Sequence, residues 1–123
     1  ELAFLTGERS AAAARQGLWH DRLAAMAITR GAAGCTLMTR SGERDVASFP
    51  VTAVDTTGAG DGFMAGLLAG VLGAPAVLDE LQALAVIGRF ANAVGALTTL
   101  ERGAIPALPT RAVVEAFLAR TQA

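Results

Sequence analysis

Apolar positions along the chain fall into runs with different spacings. Ala11 to Leu18 reads as a short, Ala-rich helix after a turn at Thr6–Gly7. Ala24 to Thr29 is small and apolar and stops at Gly31, the pattern of a buried strand. Gly34 to Thr39 is a second such run, closed by a turn at Ser41–Gly42. Asp45 to Val54 predicts a third strand, with Pro50 marking an edge or a bend. The segment 55–61, Asp-Thr-Thr-Gly-Ala-Gly-Asp, breaks the pattern, and an apolar helix follows from about Gly60 to Leu72. Leu81, Leu84, Ile87, Phe90, Val94 and Leu97 recur every three or four residues, which predicts an amphipathic helix over Asp79 to Leu97. After a loop through Gly103, Pro106 and Pro109, Thr110 is placed to cap a last helix. Val113, Val114, Phe117 and Leu118 would form its buried face. The order of helix, strands and three helices predicts part of an α/β layered domain, with the later helices packed on the sheet.

Composition narrows the function. The 123 residues carry 10 basic and 11 acidic side chains, a net charge of −1, and 53% are hydrophobic. This is too apolar for a disordered tail and too neutral for a nucleic-acid binder. All the basic residues are Arg. The Walker-type lysine and lysine Schiff-base chemistry are therefore excluded. One cysteine, Cys35, allows no intrachain disulfide and reads as a buried small hydrophobe. The single histidine, His20, rules out a histidine-rich metal site, and with Trp19 it reads as packing or surface. Met26, Met38 and Met64 read as core, and Arg89 and Arg102 as surface charges. Gly62 to Leu78 is uncharged, with Gly62, Gly66 and Gly70 at the spacing of packed membrane helices. It is short for a span, Pro75 interrupts it, and no basic residue flanks it. A buried helix whose glycines admit a close neighbour is the better reading, so no membrane partner is expected.

Chemistry concentrates between Val54 and Phe63. A strand end, a glycine turn and an apolar helix follow one another there. Gly58 and Gly60 can aim successive N–H groups into one concavity, and the helix N-terminus adds partial positive charge. Such a site suits an anion, for example a transferring phosphoryl group. A carboxylate at Asp61 would repel bound phosphate, so it is suited to a different role, accepting a proton from an attacking hydroxyl. Asp is equally a favoured N-cap, and glycine turns commonly start helices. A dinucleotide fingerprint fits poorly, because its third glycine position is Phe63.

The Asp-Thr-Thr-Gly-Ala-Gly-Asp run before an apolar helix resembles the signature of the ribokinase-like sugar kinases of the phosphofructokinase-B type, a family that includes the fructokinases. Three further segments resemble it in order. Residues 1–7 resemble the end of an Asn-x-x-Glu motif and the stretch just after it, with Glu1 as the Glu. Residues 29–34, Thr-Arg-Gly-Ala-Ala-Gly, resemble a Thr-x-Gly-x-x-Gly nucleotide loop. Residues 103–110 resemble the carboxy-terminal loop, most like that of fructokinases.

The resemblance implies a ribokinase-like fold, a central sheet flanked by helices, of which this chain is the carboxy-terminal nucleotide-binding and catalytic portion. The first residue is Glu1 rather than Met, so the amino-terminal sugar-binding half and lid are expected to be missing. It also implies ATP-dependent phosphorylation of a sugar hydroxyl, as in a fructokinase. Another family kinase, for 2-keto-3-deoxygluconate, ribose or a nucleoside, is the alternative, as is a truncated, non-catalytic nucleotide-binding remnant. Asp61 would be the general base. Gly58, Ala59 and Gly60 would form the anion hole. Thr29, Gly31, Gly34 and Asn92 would line the ATP site, with Gly60 touching the nucleotide, and Arg30 either meets a phosphate or faces solvent. Glu1 would organise Mg2+ through water. Asp55, Thr57, Thr98, Glu101 and Gly103 would surround a monovalent cation, K+. The partners implied are a small-molecule sugar and ATP, in a cytoplasmic enzyme, with a homodimer or aggregate where the cut sheet leaves an edge. The sequence departs from the family pattern in lacking the motif's Asn, in Gly62 where a larger small residue is commoner, and in Glu101 where a basic or neutral residue is usual.

Overall fold

The computed structural model describes residues 1–122. Two helices come first, α1 (Leu2–Thr6) and α2 (Ala11–Leu18), the second capped by the Ser10 hydroxyl accepting from the Ala13 amide at 3.1 Å. An antiparallel meander comes next: β1 (Ala25–Thr29), β2 (Cys35–Thr39) and β3 (Gly42–Val46), in spatial order β1-β2-β3. Helices α3 (Ala59–Gly73), α4 (Leu81–Thr98) and α5 (Arg111–Thr121) complete the chain, with a 3₁₀ turn at Pro75–Asp79. Thr110 caps α5 as expected, accepting from the Val113 amide. The sequence order of elements is thus the observed one, apart from the short α1.

The third strand differs from its prediction. It spans Gly42–Val46 rather than Asp45 to Val54. Its register runs from Thr39↔Gly42 to Cys35↔Val46, so β2 offers no partner beyond Val46. Gly34, at φ 98°, sets the limit. A Cβ built there would lie 2.0 Å from the Val46 carbonyl oxygen and 2.7 Å from the Ser48 nitrogen. The backbones touch at this point and the chain leaves the sheet. Glu43, Arg44 and Asp45 are exposed on this edge strand, which hid its strand character from a hydrophobic pattern.

Helix α4 is the centre of the molecule. Ten of its eighteen residues are buried, and it contacts α3, β2, β3 and α5. Small residues allow this: α3 lies close because Gly66, given a Cβ, would meet the Ala91 Cα at 3.0 Å. One core cluster joins Cys35 and Leu37 to Phe63, Leu84 and Ala91; a second joins Phe49 to Ala93, Val94, Ala96 and Val114. Burial pushes the Cys35 thiol above its ordinary range. Helix α4 is also long and apolar enough to cross a membrane by length and composition, and more than half of it is buried inside the protein.

Two core expectations are corrected. Met64 and Val113 are each 49% exposed. Met64 belongs to an exposed apolar stripe on α3 with Leu68 and Leu72, while Val114, Phe117 and Leu118 take the buried side of α5. Arg89 is not a plain surface charge, since its guanidinium lies 4.7 Å over the Phe49 ring. Trp19 stacks with Arg15 on the surface of α2.

Candidate active site

Of the two glycines in the turn before α3, Gly58 alone takes a conformation that needs glycine; Gly60 lies inside α3 without a positive φ. Gly58 is left-handed, at φ 80° and ψ 0°. A Cβ there would lie 2.6 Å from the Ala104 Cβ. Both the backbone angle and the neighbour demand glycine. The Ala59 amide donates to the Thr56 carbonyl at 3.2 Å and the Thr57 amide to the Asp55 carboxylate at 2.9 Å. Among the described residues, the amides of Gly58, Gly60 and Asp61 have no protein acceptor. These are the unpaired donors expected at a helix N-terminus. Asp61 stands in the first turn of α3, exposed, with no hydrogen bond or ion pair to its carboxylate.

Beside this turn lies a cavity of about 610 Å³. Ala59, Gly60 and Phe63 form one wall, Thr29, Gly31 and Ala32 a second, residues 48–51 a third, and Asn92, Gly95 and Ala96 of α4 the floor. The volume suits a nucleotide-sized ligand, and the walls are mostly apolar with a few polar groups. Thr29, Gly31, Gly60 and Asn92 are therefore brought together as expected. Asn92 is structural as well. Its amide donates to the carbonyls of Val46 at 3.0 Å and Ala47 at 3.1 Å, pinning the end of β3 to α4. Gly34 is not on the cavity wall; its place is the contact beneath Val46 and Ser48. Asp61 is also off the wall, next to Gly60, which lines it. Arg30 pairs with Asp45 at 3.2 Å, and Asp45 in turn accepts from the Thr36 hydroxyl at 2.6 Å.

The residues proposed for a monovalent cation are only partly assembled. Asp55 bridges the two loops, accepting from Thr57 and, at 3.1 Å, from the Gly103 amide. The Val54 and Asp55 amides both donate to the Thr99 carbonyl, which ties this segment to the end of α4. Thr98 is fully buried and its hydroxyl donates to the Val94 carbonyl at 2.8 Å, so it faces the α3–α4 contact. Glu101 is exposed and Glu1 sits in front of α1, which packs on α2; neither lines the cavity. Among the described residues no three His, Cys, Asp or Glu side chains converge on a metal position. A cation here would rest on main-chain carbonyls, water or nucleotide phosphates rather than on a cluster of carboxylates.

Hydrogen bonds from Thr57, side chain first and then amide, with the Gly103 amide and the Arg102 charge, hold the Asp55 carboxyl down to about 2. Its folded value lies below its ordinary 3.8, so the clasp is at full strength above that value and weakens as pH falls toward 2. The Gly103 and Thr57 amide resonances should therefore titrate together with a midpoint near 2. A midpoint at the ordinary carboxylate value would mean that the clasp does not form. Sequence reading placed Asp55 at a cation and missed that its oxygens already bind two amides. A carboxylate two residues before a threonine amide, the pattern of an Asx turn, was the available signal.

Comparison with known proteins agrees with this architecture. The crystal structure of a fructokinase from Vibrio cholerae O395, in fructose, ADP and calcium ion bound form, superposes with a TM-score of 0.85 at 36% identity, over 96% of this chain and 38% of that one. A fructokinase with bound ATP from Xylella fastidiosa gives 0.88 at 27% identity, over 99% and 41%. The probable fructokinase-2 of Arabidopsis thaliana is 44% identical over 119 residues, 96% of this chain and 36% of that protein. These likenesses define the class: an α/β protein with the ribokinase-like fold. The pfkB family carbohydrate kinase profile matches residues 1–111, and the chain belongs to that family. It spans little more than a third of the length of most of the curated relatives it matches.

Proposed function

We propose that these residues are the carboxy-terminal nucleotide-binding and catalytic portion of a cytoplasmic, ATP-dependent sugar kinase, fructose being the first acceptor to test. The carrying observation is the set of free amides at Gly58, Gly60 and Asp61, which opens beside the cavity next to an unpaired carboxylate. The cavity takes the nucleotide, with Thr29, Gly31 and Asn92 around it, and its γ-phosphoryl group lies against the amides of the Gly58–Gly60 turn. Phosphoryl transfer needs positioning and charge stabilisation rather than covalent work by the protein. Main-chain dipoles supply this where a Walker protein uses lysine.

Asp61 takes the proton from the sugar hydroxyl as its oxygen forms the new bond to phosphorus and the bond to the ADP oxygen breaks. The carboxylate has no competing partner, so it is free for that role. A divalent ion such as Mg2+, if bound with the nucleotide, would supply charge neutralisation at its phosphates. A K+ ion near Asp55 and Gly103, and a homodimer, belong to the same proposal.

A second reading concerns the 123 residues by themselves. They cover little more than a third of the length of most of the relatives, which favours nucleotide binding without transfer. Assays of ADP release with and without fructose distinguish the two. The longer protein is expected to release ADP only with sugar, and the 123-residue chain to show no sugar-dependent release. No release by the longer protein with any sugar would overturn the kinase reading.

A further inference from the structure

The cavity wall formed by residues 48–51 has little backbone support. Val46 and Ala47 are held by Asn92, and Val54 and Asp55 by the Thr99 carbonyl. Between these anchors, residues 48–53 make no backbone hydrogen bond to the rest of the protein, and Pro50 has no N–H to give. Two side chains of this arch, Phe49 and the partly buried Val51, pack into the second core cluster, and Phe49 is the one that is buried. Phe49 is only 7% exposed although both its neighbours in sequence are more open. Its ring is gripped from two elements. The Phe117 ring on α5 meets it edge-on, with centroids 5.1 Å apart and planes at 70°. The Arg89 guanidinium of α4 lies 4.7 Å over it. Neither Phe117 nor Arg89 lines the cavity.

We infer that Phe117 is a positioning residue for this cavity, acting through Phe49 together with Arg89. An aliphatic contact would fill the same space without fixing a direction. An edge-to-face pair and a stacked cation each favour one ring orientation, because the ring's face is negative and its edge positive. The Phe49 ring carries the Ser48–Val51 backbone with it, and so the shape of the wall. Helix α5, which contributes nothing to the cavity lining, thereby tunes the affinity for the ligand inside.

The inference rests on the reading of this cavity as the nucleotide site. The test is calorimetric titration of ATP into the chain and its variants, with thermal melting alongside. Phe117→Met keeps most of the volume and loses the ring edge, and it should raise Kd about fivefold. Phe117→Tyr keeps the ring and should restore affinity to within about twofold. Arg89→Gln, at a half-exposed position that does not endanger folding, should raise Kd about threefold. In a Phe49→Leu background Phe117→Met should have no further effect on Kd, although it still lowers the melting temperature. If Phe117→Met does not fold, Arg89→Gln and Phe117→Tyr decide alone. Wild-type affinity in both Phe117→Met and Arg89→Gln, or an undiminished Phe117→Met effect in the Phe49→Leu background, overturns the inference and leaves the nucleotide site standing. No ATP binding by the wild-type chain removes the nucleotide reading itself, and the inference with it.

Discussion

Replacing Asp61 by Asn in the complete enzyme should lower kcat by roughly 10²–10⁴, the usual contribution of a placed general base, while ATP binds as before. The substitution preserves shape and removes the charge and the basic oxygen. Asp61 is exposed and its side chain makes no internal hydrogen bond, so the fold should lose no more than the ~0.3–1 kcal/mol of a first-turn carboxylate. Its backbone amide, one of the three free donors at the turn, survives in the variant. A purely capping role predicts the opposite profile, with lower stability and near-normal turnover. Near-normal kcat in Asp61→Asn would therefore reject the catalytic assignment, whatever the melting temperature does.

The second large effect is structural. Gly34→Ala should cost on the order of 3–5 kcal/mol, from a backbone conformation at φ 98° that a side chain resists and from overpacking. The atoms in the way are the backbone of Val46, Ala47 and Ser48, at 2.0 to 2.9 Å, and no rotamer change can clear them. That is a large share of the ~5–15 kcal/mol stability of an ordinary domain, so soluble yield should fall steeply. Gly73→Ala is the control. Nothing lies within 4 Å of its added Cβ, and it ends α3, so the cost should stay within about 1 kcal/mol. Equal denaturant midpoints for the two variants would show that the close contact beneath Val46 is absent in solution.

Gly34 also shows what a sequence can and cannot disclose. The Thr29–Gly34 segment resembles a nucleotide loop, and Thr29 and Gly31 do line the cavity. Which glycine faces a ligand and which faces the protein's own backbone depends on where β3 ends, and that is a tertiary fact. The helices were legible because α4 and α5 bury one side, giving the three-to-four spacing its meaning. The third strand was misplaced because an edge strand with a solvated face carries Glu43, Arg44 and Asp45, while the apolar run after it, Phe49 and Val51, packs on α4 and α5 as irregular chain. Met64 reads as core because it lies in an apolar helix, but the face it shares with Leu68 and Leu72 is open in these residues. The conformation of the Gly58 turn was legible for a simpler reason. Gly58 has to be glycine locally, and its consequence, unpaired amides at the start of a helix, comes from backbone geometry alone. The role of Asp55 was half legible. Its position near the turn was given by the motif, but its bond to Gly103, 48 residues away in sequence, was not.

The central claim is that the amides of Gly58, Gly60 and Asp61 form the receptor for the transferring phosphoryl group. Its most direct test is an NMR titration of the ¹⁵N-labelled chain with ATP and, separately, with adenosine. Both ligands should shift resonances of the cavity residues Asn92 and Gly95, and ATP alone should shift the Gly58, Gly60 and Asp61 amides. Identical shifts from the two ligands at those three amides, or none from ATP while Asn92 and Gly95 respond, would contradict it.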